Sequence, residues 1–107
     1  MRMGNKISLY IPSTVSVGIQ VDNQAITDEA IAFFTELFGG ATMVKAVGGW
    51  MSKEVGLVKE EISIVSFFSY ELSNTDIEKV KQYGLDLKES MKQEAISLEI
   101  NGELLFI

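Results

Sequence analysis

The side chains available for chemistry are limited, because the 107-residue chain contains no histidine and no cysteine. A Ser–His pair, a histidine general base, a nucleophilic thiol and cysteine-ligated zinc are therefore excluded. Asp/Glu chemistry and a Ser–Lys arrangement remain open, but no motif supports either. The acidic residues also lack the spacing of an EF-hand. The sequence thus indicates no catalytic residue, no cofactor and no metal site.

Glu60 and Glu61 form the most suggestive acidic pair. Neighbouring residues on a strand point to opposite faces of the sheet, so these two carboxylates cannot form a dyad. One of them could act alone as an acid or base beside Tyr10 or Tyr70. Solvated charges near a hairpin are the simpler interpretation, and we favour it.

A binding surface is predicted on the sheet face that no helix covers. Its members are Tyr10, Val65, Phe67, Trp50, Gly48 and Gly49. An exposed aromatic patch marks a binding surface, which here could be a dimer interface, the floor of a small-molecule site or a stacking platform for bases. In another interpretation, the segment 12–26 folds back and buries the patch within the chain.

Two glycine pairs lie near this surface, and glycines let a backbone approach a ligand closely. Neither Gly39-Gly40 nor Gly48-Gly49 matches a P-loop or the dinucleotide fingerprint. We interpret the first pair as the end of a helix and the second as a β-bulge that re-aims Trp50.

The elements that must position these residues follow the order strand, helix, strand, strand, helix, strand and short hairpin. Hydrophobic periodicity predicts strands over 6–11, 41–50 and 57–70, a closing hairpin over 94–107, and helices over 27–38 and 74–92. Thr27 is the predicted N-cap of the first helix, and Ser73 begins a capping box for the second. Residues 15–21 fit either an extra strand or an apolar loop over the core.

This order predicts an α+β fold, a ferredoxin-like split βαβ sandwich (βαββαβ) with two helices on one face of an antiparallel sheet. We expect the first and third strands to form its central pair and to run parallel to each other. The predicted core contains Ile7, Leu9, Ile11, Ile62, Ile64, Phe68, Ile96, Leu98 and Ile100 from the strands, and Phe33, Phe34, Leu37, Val80 and Leu87 from the helices.

Composition narrows the class of protein. The length predicts a single domain over 1–107, and 47% hydrophobic residues supply enough apolar surface for one core. Nine basic and fifteen acidic residues give a net charge of −6, which argues against a general nucleic-acid binder. The chain has no apolar run of the roughly 20 residues that a membrane span needs, and no signal-peptide pattern at its start. We expect a cytoplasmic protein.

Four short segments carry a resemblance to known proteins: FGGAT at 38–42, GGW at 48–50, VKEE at 58–61 and LEING at 98–102. With them, most of the chain from residue 7 onward resembles a group of short uncharacterised proteins from plasmids, integrative elements and phages of low-GC Gram-positive bacteria. The resemblance implies a mobile-element context and carries no established catalytic residues. Proteins of that context are often small acidic inhibitors of host defence, including anti-CRISPR proteins.

Three functional hypotheses follow. The leading one is a non-catalytic binding protein that acts on a protein partner, with inhibition of host defence as its sharpest form. The alternative is a homodimeric sensor or sponge that binds a small ligand or nucleotide over Tyr10, Phe67 and Trp50. The third is an enzyme related to dimeric ferredoxin-like monooxygenases or isomerases, some of which need little acid–base equipment. Direct contact with nucleic acid or membrane is not expected.

Overall fold

The structure is a computed structural model that describes residues 1–15 and 19–107. Its strands are β1 (Asn5–Pro12), β2 (Thr14–Val15), β3 (Ile19–Gln20), β4 (Thr42–Ser52), β5 (Gly56–Ser69), β6 (Ser97–Ile100) and β7 (Glu103–Phe106). Its helices are α1 (Gln24–Phe38) and α2 (Asn74–Ser90).

Five strands form one sheet in the order β4-β5-β1-β6-β7, and every neighbouring pair is antiparallel. Two helices pack on this sheet, which confirms the predicted ferredoxin-like α+β fold. The first and third main strands, β1 and β5, are the central pair, but the prediction that they run parallel is wrong. The crossover through α1 brings β4 back in the direction of β1, and the β4–β5 hairpin then reverses the chain.

The register of β1 against β5 decides which side chains form the core. Leu9 lies opposite Val65, and Tyr10 lies opposite Ile64. Cross-strand partners share a face, so Val65 lies with Leu9 under the helices while Ile64 lies with Tyr10 on the uncovered face. The same alternation takes Phe67 to the helix face.

The sequence pattern therefore predicted the wrong phase for β5, which means that its side chains were placed on the opposite faces of the sheet. Ile62, Ile64 and Phe68 do not belong to the core, and Val65 and Phe67 do not belong to the uncovered face. Because β5 carries apolar residues on both faces, its own pattern cannot distinguish the two phases, and a one-residue shift exchanges every side chain between the faces.

The rest of the predicted core is confirmed. The buried apolar residues are Ile7, Leu9, Ile11, Ala30, Phe34, Val65, Val80, Leu87, Met91, Ile96 and Leu98. Phe33, Leu37 and Ile100 are partly buried and pack against this cluster. An aromatic stack also joins the two helices, since the ring centroids of Phe33 and Tyr83 are 4.3 Å apart with an interplanar angle of 13°.

The helix ends agree with the sequence to within two residues at three of the four termini. Gly39 ends α1 with φ of +92°, and Ser73 Oγ accepts a hydrogen bond from the backbone N–H of Asp76 at 3.1 Å. The second helix ends at Ser90, two residues before the predicted end. The predicted start of the first helix is wrong, because α1 begins at Gln24. Thr27 is buried within α1, and its Oγ1 has no hydrogen-bond partner among the described residues.

The segment after β1 is tied to the body of the fold by polar contacts. β2 and β3 pair with each other in a separate two-stranded sheet. Ser13 Oγ donates to the carbonyl oxygen of Glu61 at 2.8 Å, and Gln93 Nε2 donates to the carbonyl oxygen of Thr14 at 2.8 Å. At the two described ends of the possible strand over 15–21, the chain thus forms only the short pairing of β2 with β3, two residues in each strand. Residues 16–18 lie outside the described part of the chain.

Two hairpin turns depend on left-handed backbone conformations. Asn101 and Gly102 have φ of 51° and 86°, which confirms the predicted turn between β6 and β7. Gly56 has φ of 81° at the end of the β4–β5 turn. Between β4 and β5 the register runs unbroken from Thr42 opposite Ser66 to Ser52 opposite Gly56, so the predicted bulge at Gly48-Gly49 is wrong.

Among the described residues, neither helix is long and apolar enough to span a bilayer.

The register predicts different costs for two neighbouring phenylalanines. Phe67 packs on the helix face with its ring centroid 5.7 Å from that of Phe38, whereas Phe68 is 52% exposed on the other face. Phe67→Ala should lower the free energy of unfolding by about 2–4 kcal/mol, and Phe68→Ala by less than about 1 kcal/mol. Urea denaturation measures both. Equal costs, or a larger cost for Phe68→Ala, would refute the register.

Tyr83 makes stability depend on alkaline pH. Burial, and then the nearby charge of Glu29, raise the pKa of Tyr83 above the usual 10.0. The folded state favours the neutral form of Tyr83. Tyr83 therefore contributes to the free energy of unfolding below about pH 10, and this contribution is lost as pH rises through the pKa of the folded state. Tyr83→Phe should lose less stability than wild type between pH of about 9 and about 11. Urea denaturation at both values tests this, with the exposed Tyr70→Phe as control.

Candidate functional site

The sheet face opposite the helices, here called the open face, centres on Tyr10. Alternation along β1 places Lys6, Ser8 and Tyr10 on it, and the registers add residues from both neighbouring sides of the sheet. The open-face residues of β4, β5 and β6 beside Tyr10 are Thr42, Val44, Ala46, Ile62, Ile64, Ser66, Phe68, Ser97 and Glu99.

A cavity of about 270 Å³ lies on one side of Tyr10 and is here called the Lys6 cavity. Val44, Ile64 and Phe68 supply its apolar walls, and the remaining lining residues are Lys6, Tyr10, Thr42, Ser66 and Glu99. Aromatic and aliphatic groups beside a few charged ones are the usual composition of a small-molecule site.

One ion pair gives the Lys6 cavity its charge. Lys6 Nζ lies 3.5 Å from Glu99 Oε1, and the same ammonium lies 5.6 Å from the centroid of the Phe68 ring. Both side chains are partly shielded from solvent, which weakens screening of the pair. A cation and an anion therefore stand together at one end of an apolar floor.

Below this floor, Ser8 and Ser66 bond to each other. Their hydroxyl oxygens are 2.8 Å apart across β1 and β5, and Ser8 is fully buried. Since each hydroxyl has a partner, the bond satisfies two polar groups beneath an apolar surface.

A second cavity of about 140 Å³ lies on the other side of Tyr10 and is here called the Glu60 cavity. Tyr10 is the residue that lines both cavities. The other lining residues are Pro12, Glu60, Ile62, Gln93, Ala95, Ile96 and Ser97. Glu60 brings a carboxylate to the open face, while Glu61 lies on the helix side, as the alternation of the strand predicts.

A third cavity, of about 210 Å³, lies on the helix side beside the start of α1 and includes Glu61 and Lys45 in its lining. Asn23 Nδ2 donates to the carbonyl oxygen of Pro12 at 3.1 Å and to Ser63 Oγ at 3.4 Å. The polar groups of this cavity hold the segment before α1 against β5.

The predicted binding surface is thus brought together only in part. Tyr10, Trp50 and Gly48 lie on the open face, whereas Val65, Phe67 and Gly49 lie on the other. Trp50 pairs with Val58, six residues along β5 from the partner of Tyr10, which is about 20 Å at the rise of a strand. Tyr10 and Trp50 therefore cannot line one small site.

Gly48 has a packing role. A Cβ atom at this position would lie 2.9 Å from Ile62 Cδ1, so the glycine leaves room for the Ile62 side chain on the open face. Of the predicted patch, Val65 is fully buried on the helix side, whereas Trp50 remains 47% exposed. The rest of the described chain does not cover the open face, because Val44 and Phe68 are also about half exposed.

Sequence reasoning missed Val44, Ile64, Phe68 and Glu99 as members of the site. The pattern of β1 carried a usable signal, since Ile7, Leu9 and Ile11 leave Lys6 and Tyr10 on the other face. The sequence does not show which residues of β5 and β6 lie opposite β1. That pairing determines which side chains of β5 and β6 share the open face with Lys6 and Tyr10.

This arrangement can hold a ligand with a planar apolar group and a charged head. The apolar walls suit a ring system, the carboxylates of Glu60 and Glu99 suit a cation, and the ammonium of Lys6 suits a carboxylate. No group of three potential metal-ligating side chains occurs within residues 1–15 and 19–107.

No protein-family model matches the chain, and no curated protein does. Two solved structures share its fold. A phage SAM lyase in complex with S-methyl-5′-thioadenosine is 23% identical with a TM-score of 0.70, and the match covers 100% of this chain and 91% of the other. A phage SAM lyase in the apo state is 21% identical with a TM-score of 0.66, covering 97% of this chain and 88% of the other.

These likenesses correct the functional prediction. Both structures that share the fold along nearly the whole chain are enzymes. The expectation of a non-catalytic inhibitor that binds a protein partner, in the manner of an anti-CRISPR protein, is therefore wrong. Its basis was the lack of catalytic motifs, the negative charge and the resemblance to mobile-element proteins. The lack of acid–base motifs excludes only those reactions that need a protein acid or base.

Proposed function

We propose that this chain binds S-adenosylmethionine on the open face and cleaves it, releasing S-methyl-5′-thioadenosine. The observation that carries the proposal is the likeness in fold, over the full length of the chain, to a SAM lyase in complex with that product. The two cavities beside Tyr10 support the location, because their walls and charges complement the adenosyl and methionyl parts of the substrate.

The reaction requires one carbon–sulfur bond to break. The sulfur of S-adenosylmethionine bonds three carbons and carries a positive charge. It becomes the neutral thioether of the product when the bond to the γ-carbon of the methionyl chain breaks and sulfur keeps the electron pair. The substrate's own carboxylate oxygen can form the new bond to that γ-carbon, which closes a five-membered lactone.

This route needs no protein acid, base or nucleophile. One carbon–oxygen bond forms as the carbon–sulfur bond breaks, no proton moves, and the two opposite charges neutralise each other. A chain without histidine and cysteine is therefore adequate, provided that it holds the carboxylate in line with the breaking bond. Apolar surroundings favour the step further, because charge disappears along its course.

We place the adenine ring over Val44, Ile64 and Phe68 in the Lys6 cavity. The methionyl ammonium would then lie at Glu60 in the second cavity, with the sulfonium over Tyr10 between them. A cation above an aromatic face is attracted by about 0.5–2 kcal/mol. This attraction weakens as the charge disappears, so Tyr10 contributes to binding of the substrate more than to the bond-breaking step.

The remaining expectations fit this proposal. The expected small-molecule partner is then the sulfonium substrate, and the expected lack of contact with nucleic acid or membrane stays a prediction. The mobile-element context also stays a prediction, and both structures of like fold are phage proteins. We further propose the cytoplasm as the location.

Incubation with S-adenosylmethionine tests the lyase activity. Mass spectrometry should detect S-methyl-5′-thioadenosine and the lactone in equal amounts, formed faster than in a sample without protein. Binding of the substrate without faster product formation would contradict the lyase and leave a sponge. Products with an open hydroxy acid labelled from ¹⁸O-water in the absence of lactone would contradict internal attack.

Two substitutions test the placement of the substrate. Tyr10→Ala and Glu60→Gln should each raise KM by about tenfold, or about 1.4 kcal/mol, with a smaller change in kcat. Tyr10→Phe keeps the ring and should stay near wild type. Matched controls are Tyr70→Phe and Glu36→Gln, since both wild-type residues are exposed away from the two cavities. Unchanged KM in Tyr10→Ala and Glu60→Gln would move the site elsewhere.

A further inference from the structure

The two cavities beside Tyr10 differ in their charge. In the Lys6 cavity of about 270 Å³, Lys6 Nζ lies 3.5 Å from Glu99 Oε1, so these two charges offset each other beside the apolar walls. In the Glu60 cavity of about 140 Å³, the partly buried Glu60 forms no ion pair within the described part of the chain. The larger cavity therefore suits an uncharged group, and the smaller one suits a cation.

The proposed reaction separates the charged and uncharged parts of the substrate. S-adenosylmethionine carries a positive sulfonium, a positive ammonium and a negative carboxylate. Cleavage with lactone closure neutralises the sulfonium and the carboxylate, and the lactone keeps the ammonium. S-methyl-5′-thioadenosine is therefore uncharged, and its adenosyl group is the same as that of the substrate.

We propose, on the premise of the lyase function, that S-methyl-5′-thioadenosine remains a ligand of the Lys6 cavity and inhibits the reaction by competing with the substrate. Its adenine ring meets the same walls as the substrate's ring, formed by Val44, Ile64 and Phe68. Its neutral sulfur still packs favourably against the ring of Tyr10. The lactone lacks an adenosyl group and leaves from the Glu60 cavity, so it competes far less.

The contact that the nucleoside product lacks is the one between the ammonium and Glu60. Because this contact is expected to change KM by about tenfold, the inhibition constant of the product should be about tenfold above the KM of the substrate. The product also avoids the cost of removing a charged group from water, which limits the difference between the two constants.

Sustained turnover then requires a second reaction that consumes the nucleoside product. Cleavage of its N-glycosidic bond is the class of reaction that meets this need, because it separates adenine from the ribose and so divides the group that the Lys6 cavity holds. In the hydrolytic form of this reaction, water gives a hydroxyl group to the ribose carbon and a proton to the adenine nitrogen, and no other reactant is consumed.

Initial rates at several concentrations of added S-methyl-5′-thioadenosine test the inhibition. KM should rise linearly with the added product at constant kcat, and it should double at a product concentration about tenfold above KM. An N-glycosidic hydrolase that acts on the product and not on the substrate should make a curved time course linear. An active lyase whose rate is unchanged at a product concentration about a hundredfold above KM would overturn the inhibition and leave the lyase function standing. A chain that forms no product refutes both.

Two substitutions test where the product binds. Glu60→Gln should raise KM about tenfold and leave the inhibition constant unchanged, since the product has no cation for Glu60. Phe68→Ala should raise both constants by a similar factor of about three to ten, because substrate and product share the apolar wall. Phe106→Ala is the matched control, since Phe106 is 74% exposed and lines neither of these two cavities. An inhibition constant that rises with KM in Glu60→Gln, or that does not rise in Phe68→Ala, would refute this placement of the product.

Discussion

The pairing of β1 with β5 determines both faces of the sheet. With Leu9 opposite Val65, the apolar side chains of both central strands meet under the helices in one buried cluster. The opposite assignment of β5 would expose Val65 and bury Ile64 beneath the helices. Because side chains alternate strictly along a strand, this single choice also determines the chemistry of the other face of the sheet.

The open face follows from the connections of the chain. Both split βαβ crossovers place their helices on one side, so the five strands have apolar support from one side only. The uncovered side therefore holds polar and charged groups such as Lys6 and Glu99 next to residues such as Phe68. The same openness leaves two strand edges of the main sheet without a strand neighbour, at β4 and at β7.

The proposed chemistry explains how a chain without the usual catalytic side chains can support a reaction. The sulfonium is a good leaving group and the substrate brings its own nucleophile, so the protein contributes position and an apolar environment. A sequence search for acid–base motifs cannot detect such a site. The inference from missing motifs to a non-catalytic protein was overturned by the likeness to a SAM lyase, whereas the inference to the fold was correct.

The order of the elements, most of the helix ends, the Asn101-Gly102 turn and the core face of β1 could all be predicted from the amino-acid sequence. These features depend on neighbours within a few residues, namely capping hydrogen bonds, left-handed turn positions and local apolar periodicity. The phase of β5, its direction relative to β1 and the residues of the open face could be read only from the folded structure. These depend on which residue lies across the sheet, and a strand with apolar side chains on both faces, such as β5, carries no local record of its partner.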